Sequence, residues 1–186
     1  LKIPITSDVH ETKQIDKLES LLDIIQIPAF LCRQTDLIRV AAQTKKIVNV
    51  KKGQFLSHRE VENIILKIEN QNNNKILITE RGNSFGYNYL INDFKGVHFM
   101  KQFGYPIVFD STHSVQLPGG MGIKSGGARE YVVPLSKSAA SLRLAGFFIE
   151  THPNPEKALS DGPNMMHLHN MPKLLNSINK INKAAK

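Results

Sequence analysis

Apolar and polar positions alternate in blocks along this chain. Six short runs rich in Ile, Val, Leu and Phe, at 3–7, 23–29, 46–50, 75–79, 106–109 and 145–149, each read as a buried strand. Helical spacing fills several of the intervals. Residues Thr12 to Leu22 put Ile15, Leu18, Leu21 and Leu22 on one face, and Ser57 with Glu60 forms a capping box that opens a helix carrying Val61, Ile64, Ile65 and Ile68. The polar stretch Asn70 to Asn74 is short enough to be an ordinary loop between that helix and the next strand. Residues 132–145 predict a further helix, and Pro172 to Ala185 a terminal one with Leu174, Leu175, Ile178 and Ile181 inward. Strands alternating with helices predict an α/β chain built on a parallel sheet.

Each apolar run stops at polar or reactive side chains: Asp8/His10, Phe30/Arg33, Lys51/Gln54, Glu80/Arg81, Asp110/His113 and Glu150/His152. A parallel β/α barrel has this one-dimensional signature, because its functional groups collect at the C-terminal ends of its strands. The expectation is a (β/α)8 TIM barrel with about six of its eight β/α units present, a single domain over 1–186 that is N-terminally truncated. On that reading the strands at 3–7 and 145–149 would be edges, which a closed barrel does not have and which invite association between chains.

A chain of 186 residues, 41% hydrophobic, can bury a core without cross-links or structural metals. Its single cysteine, Cys32, rules out an internal disulfide and reads as a packed thiol in a reducing compartment. No apolar run is long enough for a membrane span and no signal peptide opens the chain, so the expected location is cytoplasmic with no membrane partner. The net charge of +8 comes mainly from lysines scattered among acidic residues, with no tryptophan. Nucleic-acid binders concentrate arginine and stacking aromatics on one surface, so a nucleic-acid partner is not expected, and an anionic small substrate accounts for the charge.

Two constellations carry candidate chemistry. Lys51, Lys52 and Arg81 follow neighbouring strands. Each alone would pass for a solvated surface charge; together they suit a phosphoryl or carboxylate group, lysine as a point charge and arginine as a bidentate donor. His113, Glu150 and Asp161, after the last two strands, are ligand types that divalent transition metals accept, although their spacing matches no short metal motif and each could serve as an isolated hydrogen-bonding group. The glycine-rich run at 119–127 meets neither the P-loop nor the dinucleotide fingerprint and reads instead as a mobile loop over the barrel mouth.

The segments TSDVHE (6–11), IIQIPAFLCRQTDL (24–37), NVKKGQF (49–55), ERGNSFGYNYLINDF (80–94), FDSTHSVQLPGG (109–120), SGGARE (125–130) and FIETHPNPEKALSDGPN (148–164) resemble the 3-deoxy-D-manno-octulosonate 8-phosphate synthases, in order along the whole chain. The resemblance implies condensation of phosphoenolpyruvate with D-arabinose 5-phosphate and water, on the route to lipopolysaccharide. It gives Lys51 and Arg81 as phosphoenolpyruvate ligands, with Ala29 and Gln54 lining the same pocket, and Asp8 as a polar group near the reacting centre. Phe30 and Arg33 match residues at a subunit boundary, where Arg33 reaches the sugar phosphate of a neighbouring site, which implies a homotetramer.

His113, Glu150 and Asp161 match three of four ligands of the family's metal-dependent branch, so a divalent metal ion of unspecified identity is implied, with His113 also at the catalytic centre. The fourth ligand, a cysteine on the first barrel strand, has no counterpart here, and Cys32 lies in a different motif. Two other readings stand beside this one: the related heptulosonate phosphate synthase, which takes erythrose 4-phosphate, and a non-catalytic truncated remnant.

Overall fold

The computed structural model describes residues 2–119 and 126–185. In chain order the strands are β1 (Thr6–Asp8), β2 (Ile24–Ile27), β3 (Ile47–Lys51), β4 (Ile76–Glu80), β5 (Asn83–Gly86), β6 (Tyr89–Ile91), β7 (Ile107–Asp110), β8 (Gln116–Leu117), β9 (Gly126–Gly127), β10 (Gly146–Phe148), β11 (Thr151–His152) and β12 (Met166–His167). The helices are α1 (Thr12–Leu18), α2 (Thr35–Gln43), α3 (Val61–Glu69), α4 (Phe94–Met100), α5 (Val132–Ala140) and α6 (Met171–Ala184). Six of the strands (β1, β2, β3, β4, β7 and β10) coincide with or overlap the apolar runs, and helices follow them in alternation, the pattern of a partial (β/α) barrel. The chain forms two compact units, one running to Glu80 and resuming over Lys95–Ile107, the other comprising Arg81–Phe94 and the chain from Val108 onward.

In the first unit β1, β2, β3 and β4 pair in that order, all parallel. The Ile78 amide donates to the Pro106 carbonyl at 3.1 Å, so the segment entering β7 runs beside β4. Ile25, Ile27, Val48, Val50 and Ile78 are buried on these strands, and Leu37, Ile38, Ala41 and Ala42 of α2 with Val61, Ile64, Ile65 and Ile68 of α3 form the buried helical stripes. Burying each large aliphatic side chain contributes about 1.5–3 kcal/mol. The capping box is present: Ser57 and Glu60 bracket a 3-10 turn that leads into α3. In the second unit β7 and β10 are parallel partners, with Phe109 opposite Phe147, and α5 and α6 pack around Val115, Val132, Ala140, Met166, Leu174 and Ile178.

The departures from expectation are local. The first strand starts at Thr6 rather than at residue 3, since Pro4 has no amide to donate and Ile3 and Ile5 are exposed. The first helix stops at Leu18, where the Leu21 and Leu22 amides both turn back to the Leu18 carbonyl, leaving Leu21 exposed. The helix expected over 132–145 ends at Ala140, ahead of Arg143, whose φ of 52° is left-handed. Helices α2 and α4 and the β5–β6 hairpin add elements that the apolar runs do not announce. Of the glycine-rich run, residues 120–125 lie outside the described residues, and with them the expected loop over the mouth.

Candidate active site and metal centre

Strand ends place most of the singled-out side chains. Asp8 closes β1 and is exposed; Ala29 is buried in the short 3-10 turn after β2, whereas Phe30 and Arg33 beside it are open to solvent. Lys51 is the last residue of β3 and Gln54 follows in the next turn, both buried. Gly53 between them is a close approach, because a Cβ there would sit 2.9 Å from Cys32 Sγ and 2.8 Å from the Phe55 ring. Cys32 itself is fully buried, and loss of solvent pushes its thiol up.

Lys52 corrects the basic cluster read from the sequence. Its side chain points into the first unit, 3.4 Å from Glu80 Oε2, and donates to the Gly53 and Leu56 carbonyls. His58 Nε2 lies 3.2 Å from the same carboxylate oxygen. A lysine so engaged is committed to the interior rather than to a ligand, while its neighbour Lys51, the last residue of β3, projects to the other face.

A polar row crosses the four strands of this unit. Gln26 Nε2 donates to Asp8 Oδ1, Asn49 Nδ2 to Gln26 Oε1, and Thr79 Oγ1 to Asn49 Oδ1, each at 2.8 Å. Asp8, Gln26 and Asn49 are direct register partners; Thr79 sits opposite Lys51, two residues on from Asn49 and therefore on the same face.

The second unit gathers the metal-type ligands. One donor atom from each of His113, Glu150 and Asp161 lies within 4.8 Å of the others, with His113 Nε2 3.5 Å from Glu150 Oε1. Asp110, at the end of β7, holds the other ring nitrogen: Oδ2 is 2.8 Å from His113 Nδ1, while Oδ1 accepts the His113 amide at 2.9 Å. This fixes the ring and directs Nε2 toward the two carboxylates, the arrangement of carboxylate–histidine–metal sites. Imidazole plus two carboxylates, with the imidazole oriented from behind, fits a divalent transition metal.

Arg81 joins the same network. Its Nη2 donates to the His113 carbonyl at 3.3 Å and to Gln116 Oε1 at 2.6 Å, and Gln116 Nε2 donates onward to Asp161 Oδ1 at 2.8 Å. Gln116 thus links the Arg81 guanidinium to a metal-type carboxylate. Behind Asp161, Arg129 secures the loop, pairing with Glu156 at 2.9 Å and donating to the Gly162 carbonyl at 2.6 Å. The hydrogen bond from Arg129 holds the Glu156 carboxyl below the usual carboxylate range. A cavity of about 820 Å³ opens against Gln116, Arg129 and Asp161, within the size range of small-ligand sites.

Among the described residues no helix is long and apolar enough to cross a membrane. Sequence reasoning did not assign Asp110 or Gln116 to the His113 cluster, nor did it single out the Gln26–Asn49–Thr79 row beside Asp8. Asp110 carried a signal, a carboxylate three positions before the histidine at a strand end; the others lie inside strands or turns, where only the fold brings them into line.

A sequence profile described as the DAHP synthetase I family matches residues 1–186. A 2-dehydro-3-deoxyphosphooctonate aldolase of Geobacter sp. is 51% identical over 181 residues, 97% of this chain and 66% of the relative. The protein of the same name from Geobacter metallireducens is 50% identical over 186 residues, all of this chain and 68% of its own. That of Rhodopseudomonas palustris is 51% identical over 187 residues, covering 65% of its length. The chain thus spans about two thirds of the length of these curated relatives.

Proposed function

The chain belongs to the DAHP synthetase I family, and from that premise we propose that it condenses phosphoenolpyruvate with D-arabinose 5-phosphate and water, giving 3-deoxy-D-manno-octulosonate 8-phosphate and phosphate for lipopolysaccharide biosynthesis. C3 of phosphoenolpyruvate forms the new bond to the sugar aldehyde carbon, water adds at C2, and the C2–O bond to phosphate breaks. The observation that carries the reading is the Arg81–Gln116–Asp161 link, which ties a guanidinium suited to a phosphorylated acid to the His113, Glu150 and Asp161 cluster. The relatives at about half identity share the name 2-dehydro-3-deoxyphosphooctonate aldolase, and an eight-carbon acid built from three-carbon phosphoenolpyruvate needs a five-carbon aldose, which favours arabinose 5-phosphate over erythrose 4-phosphate.

Lys51 and Arg81 are assigned to the anionic groups of phosphoenolpyruvate, with Ala29 and Gln54 lining its pocket. His113, Glu150 and Asp161 would hold the divalent ion, which when bound supplies Lewis-acid polarisation of the sugar aldehyde or of water. Asp110 keeps the His113 ring oriented, and Arg129 keeps the Asp161 loop in place. Asp8 stands at the reacting centre. The exposure of Phe30 and Arg33 supports their place at a subunit boundary, with Arg33 serving the sugar phosphate of a neighbouring site in a homotetramer. The reading makes the chain part of a single barrel domain in a cytoplasmic enzyme.

Replacing Arg81 with Ala tests the assignment. A charge-assisted hydrogen bond is worth about 1.5–3 kcal/mol, so calorimetry on the intact protein should find phosphoenolpyruvate bound roughly 10- to 150-fold more weakly. Unchanged affinity would remove Arg81 from the substrate site.

A further inference from the structure

The row that runs from Thr79 to Asp8 has a direction. Gln26, Asn49 and Thr79 are 3%, 6% and 0% exposed, so their polar atoms cannot turn to water, and interior positions of this kind are more cheaply filled by aliphatic side chains. What the row achieves is orientation. A carboxylate only accepts hydrogen bonds, so Asp8 requires the Nε2 end of Gln26. That turns Gln26 Oε1 toward Asn49, which must offer Nδ2, and the remaining Asn49 Oδ1 needs a donor, which the Thr79 hydroxyl provides. Every donor in the row points toward Asp8. Without the Thr79 hydroxyl, Asn49 Oδ1 would be a buried acceptor with no donor from β4, and the row would be held from the Asp8 end alone, so the Asn49 and Gln26 amides would lose one of the two anchors that fix their orientation.

We propose that Asn49 and Thr79 are positioning residues for Asp8, acting through Gln26, so that a hydroxyl buried on β4 sets the geometry of a carboxylate exposed at the end of β1. The inference rests on the reading that places Asp8 at the reacting centre. In this role Asn49 and Thr79 act on Asp8 through Gln26 and not on substrate, so their effect belongs to the chemical step and not to capture of phosphoenolpyruvate.

The test is a double-mutant cycle on the intact enzyme, with kcat and the phosphoenolpyruvate KM measured alongside thermal stability. Thr79→Val keeps the shape of the side chain and removes only the donor. It should lower kcat about 10- to 100-fold, the scale of loss expected from a misplaced reacting group, with KM changed by less than about twofold. Thr79→Ser, which keeps the hydroxyl, should restore kcat. In an Asp8→Asn background, Thr79→Val should cost nothing further in kcat, because the group it positions is already gone.

Additive losses from the two substitutions, or a failure of Thr79→Ser to restore turnover, would overturn the proposal. A large loss from Asp8→Asn with none from Thr79→Val would overturn it while leaving the role of Asp8 intact; wild-type turnover in Asp8→Asn would overturn both. If Thr79→Val does not fold, Asn49→Asp takes its place in the cycle, since it still accepts from Thr79 but no longer donates to Gln26. Wild-type kcat in that variant would sink the idea equally.

Discussion

Lys52 Nζ and Glu80 Oε2 lie 3.4 Å apart with both side chains wholly removed from solvent, and His58 Nε2 meets the same oxygen at 3.2 Å. Two of these residues flank the proposed substrate ligands in sequence, Lys52 following Lys51 and Glu80 preceding Arg81, and their burial faces the opposite side of each strand. Removing one member of a buried ion pair strands the other charge. Glu80→Leu should therefore lower unfolding stability by about 3–5 kcal/mol, read from urea midpoints. A variant as stable as wild type would show that Lys52 and His58 find other compensation.

Packing around this cluster admits a second, sterically argued change. A Cβ at Gly96 of α4 would collide with the His58 imidazole, so Gly96→Ala must push the ring away from its place beside Glu80. Although alanine ordinarily favours a helix by about 1 kcal/mol over glycine, here the substitution should lower the melting temperature. A raised melting temperature would contradict the His58 contact.

Cys32 offers a probe of the interior. With its thiol fully buried and pushed up by desolvation, an alkylating reagent should leave it unmodified in the folded protein and modify it on addition of urea, as mass spectrometry would record. Rapid labelling without denaturant would mean that the Gly53–Cys32 packing opens freely.

Strand positions were legible because buried parallel strands are written as short aliphatic runs, and Ile24–Ile27, Ile47–Lys51 and Ile76–Glu80 fall where those runs predict. Helix ends were less so: the stop at Ala140 depends on Arg143 taking a left-handed φ, a backbone choice that a long basic side chain does not advertise. His113, Glu150 and Asp161 were visible as ligand types, and the fold brings their donor atoms together. The partners that orient them were hidden. Gln116 is an ordinary amide until its two ends are seen between Arg81 and Asp161, and Lys52 resembles any surface lysine until Glu80 is placed beneath it.

The proposed metal site makes its own demand on Asp110. Asp110→Asn leaves the size unchanged and weakens the hold on His113 Nδ1, and loss of such a supporting carboxylate typically costs about 10- to 100-fold in metal affinity. Titration of metal-stripped intact protein with Mn2+ by calorimetry should show a loss of that order. Affinity equal to wild type would mean that His113 Nε2 is not a ligand. In the same preparation, chelation should abolish turnover and added divalent metal restore it; full activity after stripping would place the chain in the family's metal-independent branch.

The aldose decides the central claim most directly. Intact protein supplied with phosphoenolpyruvate and either D-arabinose 5-phosphate or erythrose 4-phosphate is assayed for sugar-acid product and for phosphate release. The prediction is one 3-deoxy-octulosonate 8-phosphate and one phosphate per arabinose 5-phosphate consumed, with erythrose 4-phosphate a poor substitute; preferential use of erythrose 4-phosphate, or phosphoenolpyruvate binding without turnover of either aldose, would contradict it.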